Sequence, residues 1–167
     1  AIQLTDEKNI EIGFDFDLLQ RNELYVNLIY FDFNLRSSLS YGYYNYFKVD
    51  VVGGFQAMDN VDMLIAYLEA IKNKSIPFIV ITSGSSGKDV IPICRKYSFV
   101  KEVIIFCSDV KTYQHFTTDY PQYVKKVLSS INDVYNYIKT LGEDKSGTQS
   151  YLYSDSLIFS SEYIKMN

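Results

Sequence analysis

At 167 residues, 47% hydrophobic and 22% charged, the chain has the composition of one globular domain able to bury a core. Its net charge of −4 is spread without a Lys/Arg block, which argues against nucleic acid or a membrane surface as partner, since both require a positive face. The single histidine, His115, excludes a multi-histidine metal site.

No apolar stretch approaches the roughly 20 residues that span a bilayer, and no basic-then-apolar leader is expected at the start. The two cysteines, Cys94 and Cys107, lie inside apolar runs, where a thiol behaves as a small hydrophobe. A disulfide framework is therefore not expected, and a reducing, cytoplasmic setting is.

In chain order, residues 1–23 form an N-terminal arm in which Ile10, Ile12, Phe14, Phe16 and Leu18 alternate with polar residues. That period suits an added strand or an edge cover. Tyr25–Phe31 reads as the first strand of the domain proper, closing at Asp32. Asn34–Tyr46 is Tyr-rich and contains Gly42; it reads as a loop with a short first helix. Phe47–Val52 alternates and stops at Gly53-Gly54, which predicts a second strand near a sheet edge.

Asp59-Asn60 signals a helix start, and Val61, Leu64, Leu68 and Ile71 recur at helical steps behind it. Phe78–Thr82 is a third strand. Val90, Cys94 and Tyr97 make a second helical stripe, with Pro92 expected in its first turn. Val103–Cys107 is a fourth strand, Val110–Phe116 a short helix, and Val124–Leu128 a fifth strand. Ile131, Val134, Ile138 and Leu141 mark the last helix, with Ser130 as N-cap, Asp133 three residues on, and Gly142 as a stop. Residues 143–167 hold a polar linker, EDKSGTQS, and then an apolar segment, Tyr151–Tyr163, expected either to fold back or to make an external contact.

Strands alternating with helices over 24–142 imply βαβ units with right-handed crossovers. The expected fold is α/β, in three α/β/α layers around a mainly parallel five-stranded sheet of order 2-1-3-4-5, with N- and C-terminal extensions. In that order the ends of strands one and three flank the point where ligands bind. Asp32 and the turn Thr82-Ser83-Gly84-Ser85-Ser86-Gly87 should then share one crevice with Ser108 and Asp109, and this set could hold a weakly bound cation or anion.

The turn does not follow the nucleotide pattern G-x-x-x-x-G-K-[ST]. Gly84 and Gly87 stand too close together, and Asp89 follows Lys88 where a metal-binding hydroxyl is required. Its generic reading is a tight strand-to-helix turn whose first N–H groups lack helical partners.

Three resemblances bear on function. Asp32, Thr82-Ser83 and Ser108 at successive strand ends resemble the layout of receiver domains of two-component signalling. That likeness implies an acid after strand one, an acceptor Asp closing strand three, a hydroxyl after strand four and a Lys after strand five. Here Ile81-Thr82-Ser83-Gly84 offers no acceptor carboxylate, and Lys125 and Lys126 lie inside the fifth run. The resemblance thus implies a receiver-like module without phosphotransfer, which contacts a protein partner or neighbouring domain of a larger protein, with no cofactor, no metal and no catalytic residue.

"LIYFDFN" and "FIVITSG" are similar to the first two motifs of haloacid-dehalogenase-type phosphatases. That likeness implies Asp32 as nucleophile and Thr82 or Ser83 as phosphate ligand, with Asp109 as a metal-binding acid. The acid/base position is occupied by Asn34, which cannot shuttle a proton. A module similar to TIR domains would use Glu69, the one glutamate in the core helices, to cleave NAD.

Overall fold

A computed structural model of the protein describes residues 22–142; most of the N-terminal arm and the whole C-terminal segment read above lie outside the described residues. Three runs account for the middle of the sheet. Strand β1 (Leu28–Phe31) and strand β3 (Phe78–Ser83) are apolar almost throughout, and strand β4 (Val100–Phe106) nearly so. Each is covered on both faces, which is why its apolar residues run on instead of alternating. Strand β2 (Phe55–Met58) pairs with β1, and strand β5 (Val127–Leu128) pairs with β4. All pairings are parallel and the order is β2-β1-β3-β4-β5, as the alternation of elements implied.

The expected second strand, Phe47–Val52, is a correction. Helix α1 spans Ser38–Asp50, and β2 begins only after Gly53-Gly54. Local alternation at Phe47, Val49 and Val51 favoured a strand, but the same segment also carries a helical register. Ser40, Tyr43, Tyr44 and Phe47 fall at steps of three and four, and Phe47 is fully buried. Ser37 caps the helix, its hydroxyl accepting the Ser40 N–H at 3.2 Å. Gly53 then takes φ of 156°, a conformation residues with a Cβ rarely adopt, and so connects helix to strand instead of ending a strand.

Helix α2 (Val61–Ile71) starts at Asn60, whose side-chain oxygen accepts the Met63 N–H at 2.9 Å. Helix α3 (Gly84–Cys94) starts earlier than its stripe suggested, so Gly84–Gly87 is its first turn and not a loop. Pro92 consequently lies near its C-terminal end, where a missing N–H removes one helical hydrogen bond, and the helix stops at Cys94. Two short helices follow β4, α4 (Val110–Tyr113) and α5 (His115–Asp119). Helix α6 (Ile131–Gly142) begins as expected, Ser130 accepting the Asp133 N–H at 3.4 Å.

The helices divide between the faces of the sheet. Helices α1 and α6 cover one face, with Phe47, Val134, Tyr135 and Ile138 packed on Leu28, Tyr30, Ile79, Ile81 and Ile104. Helices α2, α3 and α5 cover the other, with Leu64, Leu68, Val90, Ile91 and Phe116 on Ile29, Phe31, Val80 and Val103. Among the described residues no helix is long and apolar enough to cross a membrane.

Candidate functional site

Between β1 and β3 the chain turns in opposite directions, to β2 on one side and to β4 on the other, so the strand-end turns part there. The gap is a crevice of about 370 Å³. Its walls come from the start of α1, the ends of β1 and β4, the start of α3, and Ser129 after β5.

Asp32 closes β1 and lies nine-tenths buried, at 8% exposure. Its Oδ1 accepts the Asn34 N–H at 2.9 Å, a local turn that Asp favours. The next residue, Phe33, donates its N–H to Ser86 Oγ at 3.1 Å, and Ser86 Oγ shares a 2.7 Å hydrogen bond with Ser83 Oγ. The turn after β1 is thereby stitched to the first turn of α3. With its hydroxyl held by Ser86, Ser83 makes no side-chain cap to α3, although it stands at the N-cap.

On the opposite wall Asp109 caps α4. Its Oδ1 accepts the Thr112 N–H at 3.3 Å and its Oδ2 the Thr112 hydroxyl at 2.5 Å. Those bonds, chiefly the one from the hydroxyl, hold its carboxyl below the usual range. Cys107 lines the same wall, and burial pushes its thiol up. At the base, Tyr30 and Ser40 share a buried 2.7 Å hydrogen bond, and burial raises the Tyr30 phenol to about 12. Tyr43 from α1 packs its ring 4.7 Å from that of Phe106, giving the crevice an aromatic side.

Of the residues singled out in the sequence, the crevice brings together Asp32, Ser83, Gly84, Ser85, Ser108 and Asp109. Thr82 is fully buried beneath it, with its hydroxyl directed to the Ser83 carbonyl at 3.3 Å. Ser86 is consumed in the stitch to Phe33, and Gly87 packs under the Phe116 ring. The lining residues from the start of α1, among them Ser37, Ser40 and Tyr43, are not among those singled out in the sequence, where Asn34–Tyr46 reads as a loop with only a short helix. Their three-and-four spacing was the available signal.

Several residues on which the other resemblances depended stand elsewhere. Lys125 and Lys126 are exposed, Lys125 donating to the Pro121 carbonyl at 2.8 Å, and the position after β5 at the crevice is Ser129. Glu69 is exposed near the far end of α2, accepting from Lys72 at 2.7 Å and from the Tyr97 hydroxyl at 2.6 Å, away from the crevice. Asn34 does line the crevice. No group of three or more His, Cys, Asp or Glu side chains suited to a metal ion occurs among the described residues. No protein-family model, no curated protein and no solved structure matches the chain.

Proposed function

We propose that residues 22–142 form a receiver-like module that works by contact, with another protein or a neighbouring part of its own chain, and without phosphoryl transfer. The crevice supports the second half of this reading. Asp32 and Ser108 stand where a receiver keeps an acid and a hydroxyl, but the acceptor position leads into α3 through Ser83, and Ser129 stands where the lysine belongs. A phosphoryl group arriving there would meet carboxylates and hydroxyls but no cation among the described lining residues, so its developing charge would go unbalanced.

The observation that carries the contact role is on α1. This helix buries Ser40 and Phe47 against the sheet and presents a second apolar stripe outward. Leu39 is 66% exposed and Tyr46, two turns on, 58%, with open space above Gly42 between them. A helix apolar on two sides is suited to being covered on both. The apolar segment Tyr151–Tyr163 is one candidate cover and another protein is the other.

A benzoylphenylalanine photo-crosslinker at position 46 of the 167-residue chain tests this. Discrete adducts, to residues 143–167 or to another polypeptide, are expected. No adduct, in purified protein or in extract, would remove the support. Separately, an acid-labile label from acetyl phosphate with Mg²⁺, or hydrolysis of a chromogenic phosphate ester, lost in Asp32→Asn, would overturn the non-catalytic half.

A further inference from the structure

The geometry points to a role for the crevice beside the contact surface on α1, with which it shares Leu39: it is a binding site for a small uncharged ligand bearing a vicinal diol, such as a free sugar or the ribose of a nucleoside. The argument starts from Asp32. Its side chain is nine-tenths buried, yet the Asn34 N–H is the one hydrogen-bond donor it meets among the described residues. A carboxylate has about four lone-pair sites, and neither oxygen of Asp32 is sealed from the crevice without a partner. Its remaining capacity is left at the crevice wall, so the missing donors must come from water or from an occupant.

Two kinds of occupant could supply them, a cation or hydroxyl groups. A divalent cation needs several oxygen ligands, usually with more than one carboxylate. The other acid on the wall, Asp109, has both oxygens engaged by Thr112. Hydroxyls do not need that second acid. Adjacent hydroxyls match the paired oxygens of one carboxylate, the same chemistry by which an acidic residue grips a ribose in dinucleotide sites.

The remaining walls suit the rest of such a molecule. Ser85, Ser108 and Ser129 line the crevice and their hydroxyls make no hydrogen bond among the described residues, so each is available to donate to or accept from a ligand hydroxyl. Tyr43, Phe106 and Leu39 provide an apolar face for the C–H side of a sugar ring or a base. A volume of about 370 Å³ falls within the range of small-ligand pockets. Asp32 and Asp109 together, with no lysine, arginine or histidine among the described lining residues, repel phosphate, which selects the nucleoside over the nucleotide.

The test uses the purified 167-residue chain with D-ribose, D-glucose and adenosine as probes, read by calorimetry and by protection of Cys107 from alkylation. At least one probe should saturate and should protect Cys107 with the same midpoint. If adenosine is the binder, 2′-deoxyadenosine, which lacks the diol, should bind at least about 10-fold more weakly; free-sugar binding without adenosine binding would assign the site to carbohydrate. Asp32→Asn should weaken binding roughly 10- to 100-fold, the usual span for a hydrogen bond to a charged group. Ser129→Val, an exposed position outside the stitched turn, should weaken it without altering the fold and serves if Asp32→Asn does not fold. Failure of all three probes to saturate at millimolar concentration would overturn the proposal. So would binding indifferent to both variants, or protection of Cys107 by inorganic phosphate or Mg²⁺ alone at lower concentration than by any diol.

Discussion

Gly84→Ala examines the junction of crevice and core most directly. A Cβ at Gly84 would lie 2.4 Å from both Cδ2 and Cε2 of Tyr113 and 2.8 Å from its Cγ. Carbon atoms pack at about 3.5–4.0 Å, so the ring must retreat by roughly 1 Å. Because Cγ lies on the ring's own axis, turning the ring leaves the 2.8 Å contact in place and cannot clear the clash. The Tyr113 side chain as a whole must move, and with it the parallel stacking on Phe116, whose ring centroid is 6.2 Å away.

Overpacking of this kind costs about 1–3 kcal/mol. Opposing it, alanine is favoured over glycine in a helix interior by up to about 1 kcal/mol, and by less at a first helical position such as Gly84. The net expectation is a loss of about 1–2 kcal/mol. In a Tyr113→Ala background the obstacle is gone, and the same change should be neutral or stabilising by about 0.5 kcal/mol. Urea titrations of the four proteins in this cycle give the coupling directly. An equal cost of Gly84→Ala in both backgrounds would refute the reasoning, because the penalty would then not come from the Tyr113 ring.

Further outcomes follow from other parts of the fold. Asn27 is fully buried and bridges the sheet, its Oδ1 accepting the Gly54 N–H at 3.0 Å and its Nδ2 donating to the Pro77 carbonyl at 3.1 Å. Asn27→Ala orphans both backbone groups and should cost about 2–4 kcal/mol in urea unfolding; a loss near zero would mean water replaces it. The Glu102 carboxyl is raised by burial, with the hydrogen bond from Tyr137 and the charges of Lys125 and Lys126 opposing. A carboxyl raised in the fold holds its proton more tightly there, so it favours folding at low pH and that contribution fades as pH rises through the folded value. Glu102→Gln should therefore gain stability relative to the wild type as pH rises above the ordinary glutamate range, and a difference that stays flat would contradict this. Burial pushes Cys94 up to about 12 and raises Cys107 less deeply buried at the crevice wall. Native alkylation near pH 8 should label Cys107 slowly and leave Cys94 untouched until denaturant is added, and equal native rates would show that Cys94 is accessible.

The sheet was legible in the residues themselves. Leu28–Phe31, Phe78–Ser83 and Val103–Phe106 are apolar without alternation, a pattern that suits strands covered on both sides, and the helical stripes between them demand crossovers. Right-handed crossovers leave only a few strand orders, and the order 2-1-3-4-5 expected among them brings Asp32 to the Ser83–Ser85 turn, as observed. The extent of helix α1 was not legible: Phe47–Val52 alternates and favours strand locally, whereas the helix over Ser38–Asp50 is selected by its place in the crossover between β1 and β2 and by burial of Phe47. Nor could residue types tell which hydroxyls remain available. Ser83 and Ser86 bond to one another and Asp109 is spent on Thr112, whereas Ser85, Ser108 and Ser129 keep their capacity at the crevice. Periodicity is a property of neighbours along the chain and can be read from it; the partner of a given hydrogen-bonding group is chosen by distances that exist only once the strands have paired.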